Sequence, residues 1–193
     1  MAAANESCRV AFVGDSLTAG FGLDEADTWP TRMAARMRDA GFDCAVINAG
    51  VSGDTTAGGK ARIGWVLFDE PSHVVLALGA NDGLRGLPVE DMARNLSVMI
   101  RDLHAADVHV LLAGMLAPPN MGPAYVERYE AAFRTVAAAH EVAFVPFLLD
   151  GIAARPELNQ ADGIHPNAAG VAVMVERTWP VFEQWLEATL PDA

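Results

Sequence analysis

Positive charge is scarce in this sequence. Among its 193 residues, 13 Lys+Arg stand against 25 Asp+Glu, a formal net charge of −12. A phosphate backbone needs a basic patch, so nucleic acid is excluded as a partner. Tight docking on an anionic membrane surface is disfavoured on the same ground. Cysteine is nearly absent. Cys8 and Cys44 are the only two, too few for a disulfide-rich scaffold or a four-thiolate zinc site. Each precedes an apolar, strand-like run, so two buried, reduced thiols are the expectation. A single bridge between them stays open, and composition does not fix the redox compartment.

Long apolar runs are missing too. The most tempting stretch, Val108 to Val126, carries His109, Asn120, Pro118, Pro119 and Pro123, and prolines in such number break a spanning helix. Stable membrane insertion is therefore not expected. Met1 to Ser7 offer neither a basic n-region nor an apolar h-region of a signal peptide. The expected location is cytoplasmic as written, or periplasmic or secreted if an export signal has been removed. No His, Asp or Glu cluster has metal-ligand spacing, so neither metal nor cofactor is expected. No heptad stripe marks an oligomer interface.

What is present is an apolar fraction of 52%, ample for a core, in a length that suits one domain over 1–193. Short apolar runs read as buried strands at Val10 to Val13, Ala45 to Ile47, Val74 to Leu78, Val108 to Ala113 and Val142 to Phe147. Helical segments are expected at Trp29 to Ala40, after Gly58 and Gly59 through Leu67, at Pro88 to Ala105, Ala124 to His140 and Val171 to Leu190, the last with a bend expected at Pro180. Five strands alternating with five helices predict an α/β fold, a three-layer α/β/α sandwich around one five-stranded parallel sheet. In such sheets ligands bind beyond the carboxyl ends of the strands.

The polar residues at those ends differ from loop to loop. Gly14-Asp15-Ser16-Leu17 follows the first strand, and Asn48 to Thr55, with Gly53, follows the second. Gly79-Ala80-Asn81-Asp82-Gly83 follows the third. Asp162-Gly163-Ile164-His165-Pro166 precedes the last helix. Each has a bland reading: Ser16 as a helix cap, Gly53 as a turn glycine, Asn81 as an Asx-turn residue, His165 as a helix-start residue before Pro166. Together they place a serine, a tight glycine turn, an amide and an Asp-x-x-His pair on one edge, the parts of a serine hydrolase. No Gly-x-Ser-x-Gly elbow surrounds Ser16, which disfavours an ordinary α/β-hydrolase. A flavodoxin-like binding or signalling module is the other class to weigh. Gly14-Asp15-Ser16-Leu17 is no phosphate loop, and such a module has no need of Asp162 and His165.

These four blocks resemble the GDSL or SGNH hydrolases, named for Ser16, Gly53, Asn81 and His165 as they stand here. The likeness runs from Val10 to the last helix. It is greatest, through Asn81 to Gly86 and Asp162 to Asn167, to the acyl-thioesterase I/lysophospholipase L1 and arylesterase branch. The resemblance implies a flavodoxin-like SGNH fold and a catalytic set of Ser16, His165 and Asp162. It also implies an oxyanion hole from the Ser16 and Gly53 N–H groups and the Asn81 amide.

The substrate expected is a small-molecule ester or thioester. A carboxylic-ester hydrolase of arylesterase type, acting on short to medium acyl groups, is favoured. An acyl-CoA thioesterase or lysophospholipase comes second and a carbohydrate O-acetylesterase third. Leu84, Leu87, Met115, Leu116, Pro118, Pro119 and Met121 are expected to build the acyl pocket. Asp15, Asp54 and Asp82 are expected to support turns and neighbouring groups by hydrogen bonding. His73, His104, His109 and His140 are read as structural or surface residues.

Overall fold

A computed structural model describes residues 8–190. The strands are β1 (Arg9–Gly14), β2 (Ala45–Gly50), β3 (His73–Ala77), β4 (His109–Ala113) and β5 (Ala143–Val145). All pair in parallel, in the order β2-β1-β3-β4-β5. The helices among the described residues are α1 (Ser16–Ala19), α2 (Trp29–Asp39), α3 (Thr56–Val66), α4 (Ala80–Leu84), α5 (Val89–His104), α6 (Pro123–Ala139) and α7 (Ala168–Thr189). Local chemistry sets several of their starts. Thr28 caps α2 ahead of Pro30, and the Asn167 side chain accepts from Gly170 N–H at the start of α7.

Strand alternation splits the interior in two. Val10 and Phe12 face one side, where Trp29, Met33 and Met37 of α2 and Met174, Trp179 and Phe182 of α7 cover them. Ala11 and Val13 face the other, against Ile63 of α3, Leu96 and Met99 of α5 and Tyr129 and Phe133 of α6. The result is the three-layer α/β/α sandwich, its central strands β1, β3 and β4 buried on both faces as in an all-parallel sheet, while β2 at the edge is half-exposed. Because β1 lies between β2 and β3, the chain reverses its direction of travel across the sheet there. The crevice beyond the β1 and β3 carboxyl ends is where such a sheet offers a binding site.

Three expectations are corrected. Cys8 and Cys44 are joined in a disulfide, not held as two reduced thiols. They start neighbouring strands, with the Ala45 N–H donating to the Cys8 carbonyl, an adjacency hidden by a sequence separation of 36. There are seven α-helices among the described residues rather than five, because α1 and α4, of 4 and 5 residues, are too short for periodicity to reveal. The last strand ends at Val145 rather than Phe147, since Pro146 brings no N–H to the ladder.

Candidate active site

Ser16 opens α1 directly after β1. The Asp15 carboxylate caps that turn by accepting from Leu17 N–H at 3.0 Å. The turn sits low over the sheet because two strand-end residues lack side chains. A Cβ on Gly14 would lie 2.0 Å from the Thr18 hydroxyl, and one on Gly50 would lie 2.3 Å from the Ala19 nitrogen.

His165 comes from the long segment between β5 and α7, and reaches Ser16 from the far end of the chain. Its Nε2 lies 2.8 Å from Ser16 Oγ and its Nδ1 lies 2.7 Å from Asp162 Oδ2. The other Asp162 oxygen accepts from the N–H groups of Ile164 and His165, at 2.9 and 3.0 Å. These backbone bonds, with that from the imidazole, hold the Asp162 carboxyl down to about 2. It is therefore an anion throughout the neutral and mildly acidic range. With Nδ1–H donated to that anion, Nε2 is left to accept from the serine hydroxyl. The segment is anchored by Gln160, whose N–H donates to the His165 carbonyl and whose amide donates to the carbonyls of Phe21 and Pro166. The Phe21 ring rests against the imidazole, centroids 4.7 Å apart.

Gly53 and Asn81 enter from β2 and β3. Gly53 has φ +81°, a left-handed conformation that costs glycine nothing. Its carbonyl accepts from Arg85 Nη2 at 2.8 Å. Asn81 lies in α4, and its Nδ2 donates to Asp15 Oδ2 at 3.3 Å. Burial pushes the Asp15 carboxyl up to about 6. The supporting roles expected of the other two acids have definite partners. Asp54 pairs with Arg62 at 2.7 Å. Asp82 accepts from the N–H and hydroxyl of Thr56, at 2.9 and 2.6 Å, tying α4 to the start of α3.

Ser16, Gly53, Asn81 and His165 all line one cavity of about 630 Å³, within the usual range for small-molecule sites. Its wall is largely apolar. Leu84, Met115, Leu116, Pro118 and Pro119 contribute as expected from sequence, whereas Leu87 and Met121 do not line it. The Leu87 carbonyl accepts from the Tyr125 hydroxyl at 3.0 Å, and the Met121 methyl packs over Gly86. Sequence reading missed Phe21, Phe147, Leu149, Ala153, Ala154 and Ile164. The 147–154 stretch carries no motif. Only its position on the same sheet edge as the other strand-end loops could have flagged it. His73 and His109 lie at the opposite, amino-terminal ends of β3 and β4. Among the described residues, no group of three or more His, Cys, Asp or Glu could hold a metal ion. No described helix is long and apolar enough to cross a membrane.

The profile of the GDSL-like lipase/acylhydrolase family matches residues 12–173. Esterase TesA of Pseudomonas aeruginosa is 42% identical over 175 residues, 90% of this chain and 87% of the relative. An arylesterase of Vibrio mimicus is 36% identical, covering 86% of this chain and 83% of its own. Thioesterase 1/protease 1/lysophospholipase L1 of Escherichia coli is 34% identical, covering 80% and 74%. The crystal structure of TesA superimposes with a TM-score of 0.88 at 41% identity, over 92% of this chain and 99% of that one. The psychrotrophic esterase EstA from Pseudoalteromonas sp., solved with monoethylphosphonate as inhibitor, gives 0.87 at 31% identity, over 93% and 98%.

Proposed function

The chain belongs to the GDSL-like lipase/acylhydrolase family and is a carboxylic-ester hydrolase, and from that premise we propose that it cleaves neutral esters of short to medium acyl groups through an acyl-enzyme on Ser16. The observation that carries the reading is the unbroken line from Asp162 through His165 to the Ser16 hydroxyl, ending in an apolar cavity. A serine hydroxyl is a weak nucleophile until a base removes its proton. His165 Nε2 takes that proton as Oγ attacks the ester carbonyl. It then returns it to the departing alcohol or phenol. Asp162 keeps the imidazole in the required tautomer and stabilises the imidazolium. A water, deprotonated by the same nitrogen, then attacks the acyl carbon, and the carboxylic acid leaves as Ser16 Oγ takes that proton back from His165. In both halves the carbonyl oxygen becomes an oxyanion, received by the N–H groups of Ser16 and Gly53 and by Asn81 Nδ2–H.

Two features support neutral esters over acyl-CoA. Among the described residues no Lys or Arg lines the cavity, and the −12 charge repels a leaving group bearing phosphates. The Cys8–Cys44 bond supports work in an oxidising compartment. A fluorophosphonate probe is expected to label Ser16, and Ser16→Ala is expected to abolish both labelling and turnover in a folded protein. A chain-length series of p-nitrophenyl esters beside acyl-CoAs should peak at short or medium acyl groups. Wild-type labelling at another serine refutes the nucleophile, and preference for long acyl-CoA refutes the substrate class.

A further inference from the structure

Asp15 is an odd residue to find beside a nucleophile. Its side chain is almost wholly buried, at 1% exposure, and faces no Lys or Arg partner. Burial of an unpaired carboxylate is unfavourable, so the position calls for a reason. The contacts supply one. Oδ1 accepts from Leu17 N–H on the turn that carries Ser16, and Oδ2 accepts from Asn81 Nδ2. One carboxylate thus touches both the nucleophile's turn and the amide of the oxyanion site.

We propose that Asp15 is a positioning residue that fixes the Asn81 amide with its N–H toward the oxyanion. The inference rests on the oxyanion role given to Asn81 above. An amide can turn over and present oxygen in place of nitrogen with little change of shape. An oxygen facing the developing oxyanion would repel it. An ionised carboxylate only accepts hydrogen bonds, so it tolerates Asn81 Nδ2 opposite and rejects Asn81 Oδ1. With one N–H held by Asp15, the second is left for the cavity that Asn81 lines. Burial brings the Asp15 carboxyl to about 6, so at neutral pH the group is mostly the acceptor-only anion this geometry needs. The other charged groups acting on it are His165, which favours the anion, and Asp54, which opposes it.

Asp15→Asn tests the assignment. The variant keeps an oxygen for Leu17 N–H but presents its own NH₂ to Asn81, which favours the turned-over amide. Asp15→Ser keeps a cap for α1 and loses the reach to Asn81. Both are expected to lower kcat on the order of 10²-fold with KM little changed, approaching the loss in Asn81→Ala. Thermal stability at neutral pH should hold or rise in Asp15→Asn, because an unpaired buried charge has gone. Placed in the Asn81→Ala background, Asp15→Asn should cost no more than about threefold further, since residues acting as one unit are not additive. Wild-type kcat in Asp15→Asn overturns the proposal while leaving Asn81 in its role. An equal loss in the Asn81→Ala background also overturns it, because Asp15 would then be acting on the His165 imidazolium. Wild-type kcat in Asn81→Ala overturns the oxyanion reading and this inference with it.

Discussion

Arg62 offers the sharpest test of how the site is held. Its guanidinium donates from Nε to Asp54 Oδ2 at 2.7 Å, from Nη1 to the Ala49 carbonyl at 2.8 Å and from Nη2 to the Gly14 carbonyl at 3.0 Å. Those carbonyls end β2 and β1, just ahead of the loops bearing Gly53 and Ser16. Only the planar fork of arginine spans three such acceptors. Arg62→Met should therefore both destabilise the fold and loosen the two loops. The side chains are 21% and 10% exposed, so the pair is mostly desolvated. Breaking a buried pair by removing one partner costs about 3–5 kcal/mol. The partial exposure of Arg62 puts the expected loss near the lower end, about 3 kcal/mol. Arg62→Lys restores a charge for Asp54 but not the fork, and should lose roughly half as much. Urea denaturation at unchanged m reads the stability. Turnover of a p-nitrophenyl ester should fall about tenfold or more, because small misplacements of reacting groups are costly. An Arg62→Met protein within about 0.5 kcal/mol of wild type would refute the energetic argument. A destabilised protein with wild-type kcat would refute the claim that Arg62 positions the loops.

Two further outcomes concern stability. His73 is buried, its ring nitrogens engaged with the hydroxyls of Ser72 and Thr189, and burial lowers it from 6.5 to about 4. The unfolded chain therefore takes up a proton that the folded one refuses. Stability should fall as pH drops below 6.5, by roughly 3 kcal/mol once pH reaches about 4. Asp15, with its raised carboxyl, changes stability in the opposite sense, so the comparison is made between wild type and His73→Gln. The variant should lose less on acidification, and an identical acid loss refutes the assignment. Reducing the Cys8–Cys44 bond, which closes a loop with a separation of 36 residues, should cost about 3–4 kcal/mol of stability. Activity should persist under native conditions, since the bond joins strand starts and Ser16 follows a strand end. An unchanged melting temperature on reduction, or free thiols beforehand, would contradict this.

Much of the site was legible because of how parallel sheets are built. Every β-to-α turn falls on one edge, so motifs at the ends of successive strands had to converge. Strand positions alone bring about this convergence, and apolar runs such as Val10 to Val13 and Val74 to Leu78 reveal them. The helices α1 and α4 escaped because four or five residues cannot show a period. They nevertheless carry Ser16 and Asn81. The inward turn of the 147–154 stretch escaped because its residues match no motif, and Leu87 and Met121 were misjudged for lying within three residues of Leu84 and Pro119, which do line the cavity.

Composition and local pattern by themselves determined an acidic, well-cored α/β chain and put a serine, an amide and an Asp-x-x-His pair at strand ends, because those properties are carried by near neighbours in sequence. Only the tertiary structure decided which loops meet. The order β2-β1-β3 brings Cys8 beside Cys44, sets Arg62 across two strand ends and closes Asp15 onto Asn81, 66 residues away. Those contacts depend on which strands pair, and strand pairing is settled by the packing of whole layers, so no local stretch of this sequence encodes it.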